Sequence, residues 1–117
     1  MAVYFWTEQG SALLKKFNDR IAQRDPKGKI TTWERSDDGE YYTHKASEWK
    51  AEAWFKATVD AKRLRFNIIK PKNKNVSSSA YAYYHGHLIE TFLNHFDKDF
   101  SSGEATALPS SNDVVGS

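Results

Sequence analysis

A chain of 117 residues, 39% hydrophobic and 15% aromatic, can bury one sizeable core and is too short for two. It has no cysteine, which removes disulfide frameworks, thiolate nucleophiles and thiolate metal sites together and fits a reducing compartment. The formal net charge of +2 hides a separation: Asp60 to Glu90 encloses Lys62, Arg63, Arg65, Lys70, Lys72 and Lys74 and no acidic residue, while the rest of the chain is net negative.

At the N-terminus the apolar patch runs only from Ala2 to Trp6, with no basic residue before it, so it does not read as a secretory signal. Nowhere do about 18 apolar residues run together, as a membrane span requires. The expectation is a cytoplasmic protein with no membrane partner.

Leu13, Leu14, Phe17 and Ile21 mark one helical face, predicting a first helix from Thr7 to about Arg24. Thr7 suits the N-cap, and Asp25-Pro26 with Gly28 supplies the stop, because a residue before proline avoids the α region. Beyond Gly28 the texture turns β-branched and aromatic. KITTWERS and EYYTHKAS flank Asp37-Asp38-Gly39, whose Asp-Gly step provides the positive φ of a hairpin turn.

EWKAEAWFKATV then alternates, with Trp49, Ala51, Ala53, Phe55, Ala57 and Val59 on one face and Lys50, Glu52, Trp54, Lys56 and Thr58 on the other. Ala, Glu and Lys favour helix, but the period of two outweighs that propensity and predicts a strand. RLRFNIIK is a further strand, with Leu64, Phe66 and Ile68 inward and Arg63, Arg65 and Asn67 outward until Pro71 ends it. After the polar loop KNKNVSSS, Ser77 or Ser78 caps a second helix from about Ser79 to Phe96, with Tyr81, Tyr84, Leu88, Phe92 and Phe96 at helical spacing. Gly86 interrupts it at about 1 kcal/mol relative to Ala. From Ser101 the Ser, Gly, Pro and acidic composition predicts a disordered tail over 101–117 behind one compact domain over 1–100, and the terminal Gly116-Ser117 pair reads as a cloning remnant.

The expected fold class is therefore α+β: helix, four-stranded antiparallel meander, helix, as a two-layer sandwich with both helices on one sheet face. In element order this resembles small two-layer sandwiches such as the frataxin-like ones, although the first helix carries no acidic ridge, so the likeness stops at architecture.

On the uncovered sheet face the pattern places a basic surface with an aromatic in it. The candidate binding residues are Trp54, Lys56, Arg63, Arg65, Lys70, Lys72 and Lys74. Cations that neutralise phosphates beside an indole that stacks on bases suit single-stranded nucleic acid. An acidic protein would meet the same charges. The competing readings are a solvated sheet face with Glu52 pairing one lysine, Trp54 packed against Trp33 or Tyr42, and a homodimer or other assembly interface centred on Trp54.

His87 and Glu90, three residues apart on a helix, have a spacing compatible with two metal ligands, but no second His or His-Glu-x-x-His pattern accompanies them. His85 and His87 point about 200° apart on a regular helix. No Gly-x-Ser-x-Gly, Walker loop or dinucleotide fingerprint occurs, and Asp37 and Asp38 are explained by the turn. The reading is a small non-enzymatic binding module without cofactor or metal.

Overall fold

The alternating RLRFNII run forms β5 (Arg63–Ile69), and the sheet is built outward from it. The computed structural model describes residues 2–116. In chain order the other elements are β1 (Ala2–Trp6), α1 (Gly10–Ala22), β2 (Trp33–Arg35), β3 (Tyr42–His44), β4 (Trp54–Asp60), α2 (Ser78–Phe96) and β6 (Ser102–Ala105). The strands form one antiparallel sheet in the order β2-β3-β4-β5-β1-β6, and the chain is α+β.

The predicted meander is present as β2-β3-β4-β5, but the sheet has six strands among the described residues, not four. The first addition is β1, which lies against β5 with Val3 opposite Phe66 and Phe5 opposite Leu64. Its sequence AVYFW is apolar at every position, so no polar alternation marks it as half-buried. The second is β6, which pairs with β1 from within the segment expected to be disordered. That expectation also fails further on, where Val114 bridges Ile69 in parallel and donates its N–H to the Ile68 carbonyl at 2.8 Å. The segment continues the sheet beyond the start of β1, held by Asp113, which accepts from Asn67 Nδ2 at 2.9 Å and from the Ile68 N–H at 3.1 Å. Side-chain capping of a strand end by one Asp has no compositional signature. Ser117 lies outside the described residues.

The strand expected from Trp49 begins only at Trp54. Before it, residues 46–52 form a turn in which Ala51 takes φ 59°, a left-handed conformation that breaks the alternation. From Ala53 the predicted faces hold at first, with Ala53 and Phe55 buried and Lys56 exposed, but Val59, expected inward, is 42% exposed at the strand's end.

Both helices cover one face. Phe66 in β5 is the hub, with its ring 5.8 Å from Phe17 of α1 and 5.6 Å from Phe92 of α2, while Phe17 and Phe92 are themselves 5.0 Å apart. Phe5 stacks on Phe92 at 4.0 Å. Removing a ring from such a core costs about 3–5 kcal/mol. Gly10 opens α1 where a Cβ would lie 3.0 Å from a Val59 methyl, so its lack of a side chain lets the helix approach the sheet. The helix starts three residues later than predicted because Thr7 Oγ1 accepts from the Gln9 N–H at 3.0 Å, making a turn in place of a cap. In α2, Ser77 caps as expected, its hydroxyl accepting from the Ala80 N–H at 3.0 Å. No helix among the described residues is long and apolar enough to cross a membrane.

Candidate functional site

Strand pairing decides which predicted site residues meet. Directly opposed residues of antiparallel strands share a face. Trp54 of β4 lies opposite Ile69 of β5, and Lys56 opposite Asn67, on the face away from the helices. The chain leaves β5 through Lys70, Pro71 and Lys72, so Trp54, Ile69 and this exit segment line a groove of about 320 Å³. Ser36 and Tyr41, at the base of the β2–β3 turn, line it as well. Trp54 is half-buried and Lys72 exposed. Trp54 does not pack on Trp33 or Tyr42. Both of those rings are buried among the core residues, with Trp33 5.8 Å from Phe55 and Tyr42 5.9 Å from Phe66.

Three of the seven predicted residues, Trp54, Lys70 and Lys72, thus border one concavity, with Lys56 two positions along the same strand face. Among the described residues Lys56, Lys70 and Lys72 make no ion pair, so their ammonium groups are available to a ligand. Lys74 is different, because Glu52 pairs with it. Lys50 pairs with Glu34 at 3.0 Å.

Arg63 and Arg65 belong to a separate arrangement on the same sheet face. Asp60, the last residue of β4, accepts from Arg65 Nε at 3.0 Å and Arg63 Nε at 3.1 Å. Hydrogen bonds from Arg65, with a smaller contribution from Arg63, hold the Asp60 carboxyl below its usual range, and the same contact raises Arg65. Arg65 also donates to Asn67 Oδ1 at 2.7 Å, which links this network to Asp113 in the C-terminal segment. Its side chain is only 15% exposed. The Arg63 guanidinium lies 4.0 Å from the centre of the Tyr4 ring and 5.5 Å from Trp6, whose indole donates to Glu104 at 2.7 Å. Tyr4 and Trp6 of β1, a strand that the sequence pattern missed, therefore engage Arg63, and Asp60 and Asn67 engage Arg65, before any partner does.

At the groove's other wall the turn is acidic. Asp38 accepts from Ser36 Oγ at 2.5 Å and from the Glu40 N–H at 3.0 Å, and these bonds lower its pKa. Gly39 takes the expected positive φ of 76°. The groove is consequently polarised, with lysines at the β5 exit and carboxylates beyond Ser36.

Among the described residues no group of three or more His, Asp or Glu side chains could hold a metal ion. The His87 ring stacks on Tyr83 at 3.9 Å and faces His44 at 5.3 Å, so it does not project to solvent beside Glu90. Tyr83 is itself half-buried, its ring stacked on Trp49 at 4.2 Å. The chain matches no protein-family model, no curated protein and no solved structure.

Proposed function

We propose that the protein is a non-enzymatic binding module that takes a segment of single-stranded nucleic acid across the Trp54 groove. The observation that carries this reading is an indole and an aliphatic side chain, Trp54 and Ile69, beside two lysines without ion-pair partners among the described residues. A base stacks on Trp54, a contact worth about 1–3 kcal/mol. Lys70 and Lys72 meet the phosphates on the exit side, and Lys56 meets a neighbouring phosphate along β4. The acidic turn repels phosphate, so the backbone runs on the lysine side and the base edge faces Ser36 and Tyr41. Arg63 and Arg65, occupied by Asp60, contribute to the field but not to direct contacts.

Three phosphate contacts on a single strand give a log–log salt slope of about −2. Anisotropy of a labelled single-stranded oligonucleotide, titrated at low and moderate salt, is the test. Lys70→Ala with Lys72→Ala is expected to abolish most of the salt-dependent affinity, and Trp54→Leu to weaken binding about 5- to 150-fold, the equivalent of one lost stacking contact. Arg63→Ala is expected to leave it within about twofold. Absence of binding at low salt, or a loss from Arg63→Ala as large as from the lysine pair, would sink the proposal.

A further inference from the structure

The turn over 46–52 is docked by four contacts, two to α2 and two to β3. Trp49 stacks on Tyr83, the Tyr84 hydroxyl donates to the Trp49 carbonyl, Thr43 Oγ1 accepts from the Ala51 N–H at 2.9 Å, and His44 Nδ1 accepts from the Ala46 N–H at 3.1 Å. The last contact fixes a protonation state. A backbone N–H can only donate, so Nδ1 holds a lone pair and the neutral ring carries its proton on Nε2. That Nε2 is buried with no hydrogen-bond partner among the described residues, and His44 is 4% exposed.

Two consequences follow from this geometry. His44 is unsuited to bind a metal through Nε2, since that would put a proton on Nδ1, facing the Ala46 N–H. Acid has the same effect as a metal would: a second proton can enter only at Nδ1, turning an acceptor into a donor and setting two N–H groups against each other. The imidazolium would also be enclosed. From α2 it faces His87 at 5.3 Å, Tyr83 at 5.0 Å and Tyr84 at 6.2 Å, and from β2 it faces Trp33 at 5.2 Å. None of these supplies a carboxylate, and His87 becomes a like charge when it too is protonated.

We propose that His44 makes the 46–52 turn an acid-sensitive latch, closed on β3 and α2 while the ring is neutral and released when Nδ1 is protonated. Burial, and secondarily the charge of His87, lowers the His44 pKa in the closed state, in keeping with this geometry. An opened turn exposes the ring to water and lets it titrate near the ordinary value of about 6.5. The open state therefore binds more protons in the window below that value, and opening is favoured as pH falls, by up to about tenfold per pH unit for one proton. Above the window the latch is pH-independent.

Hydrogen exchange of the Ala46 amide, followed by NMR on the full chain between pH 7.5 and 5.0 and corrected for intrinsic exchange, reads the latch directly. Protection in the wild type is expected to be constant above about pH 6.5 and to fall below it, with a slope approaching tenfold per unit. His44→Asn retains an acceptor for Ala46 without a titrating ring, and its protection is expected to stay flat. His87→Gln removes the facing charge, which brings the closed-state value nearer the open one, so the onset is expected to stay near pH 6.5 and the total loss of protection to shrink. Flat protection in the wild type, an undiminished transition in His44→Asn, or an enlarged total loss in His87→Gln would overturn the proposal. Should His44→Asn fail to fold, the wild-type and His87→Gln profiles still decide it.

Discussion

Arg63 and Arg65 show how far residue identity alone can be read. Alternation with Leu64 and Phe66 places both on the uncovered face, and there they lie, but their charges are turned inward on Asp60. Three residues of separation brought Asp60 within reach across the β4–β5 turn, and the arginines' other neighbours, Tyr4, Trp6 and Asn67, come from β1 and from β5 itself. The Asp60 contribution has a definite pH dependence. Its folded carboxyl is held below the ordinary value near 3.8, so the unfolded chain takes up the proton first. Stability from this group is present above that value and is lost as pH falls through the lower, folded one. Thermal unfolding of the wild type should therefore weaken between pH 5 and pH 2.5 by more than that of Asp60→Asn. Parallel losses in the two proteins would show that the arginines gain nothing from the ionised carboxylate.

At the scale of elements, legibility follows periodicity. β5 and α2 carried strong alternation or helical spacing over 7 and 19 residues, and both stand within a residue or two of the reading. β1 was missed because its outward positions, Tyr4 and Trp6, are half-buried aromatics, which leaves nothing polar to alternate. The 46–52 turn was read as strand because its alternation was compositional only, and Ala51 in a left-handed conformation breaks it. Gly86 is the reverse case, a residue that looked like a break yet sits inside an uninterrupted α2. A Cβ built there meets nothing within 4 Å, and its φ is not positive. Neither packing nor backbone conformation within this chain requires glycine, so Gly86→Ala should stabilise the protein by about 1 kcal/mol in denaturant unfolding, the difference in helix propensity. A destabilised variant would mean that the helix bends at this position in solution.

Across the whole molecule, the charge separation seen in the sequence survives folding but is redistributed. Two of the six cations between Asp60 and Glu90, Arg63 and Arg65, are paired with Asp60, and Lys74 is paired with Glu52, leaving Lys62, Lys70 and Lys72 without an ion pair among the described residues, the last two beside Trp54. The groove could not be read from one dimension. Its walls come from the β2–β3 turn and the β5 exit, far apart in the chain, and only strand order brings Ser36 and Tyr41 beside Ile69. The C-terminal segment adds a further constraint, since Val114 holds the backbone of Ile68 and Lys70 from the side opposite β4 and so fixes the lysine exit relative to the indole.

The four tryptophans make the central claim open to a direct reading, because each has a distinct environment. Trp33 donates its indole N–H to Thr91 in the core, Trp6 to Glu104 beside Arg63, and Trp49 is stacked on Tyr83, while Trp54 lies in the groove. The four indole N–H resonances, assigned by single Trp→Phe variants, should be followed by NMR as a short single-stranded oligonucleotide is added at low salt. The account predicts that the Trp54 signal moves with saturation while those of Trp33, Trp49 and Trp6 stay in place. Saturating shifts at Trp6 with none at Trp54 would put the contact on the Tyr4 and Arg63 surface, and no shift at any of the four would contradict nucleic-acid binding at this groove.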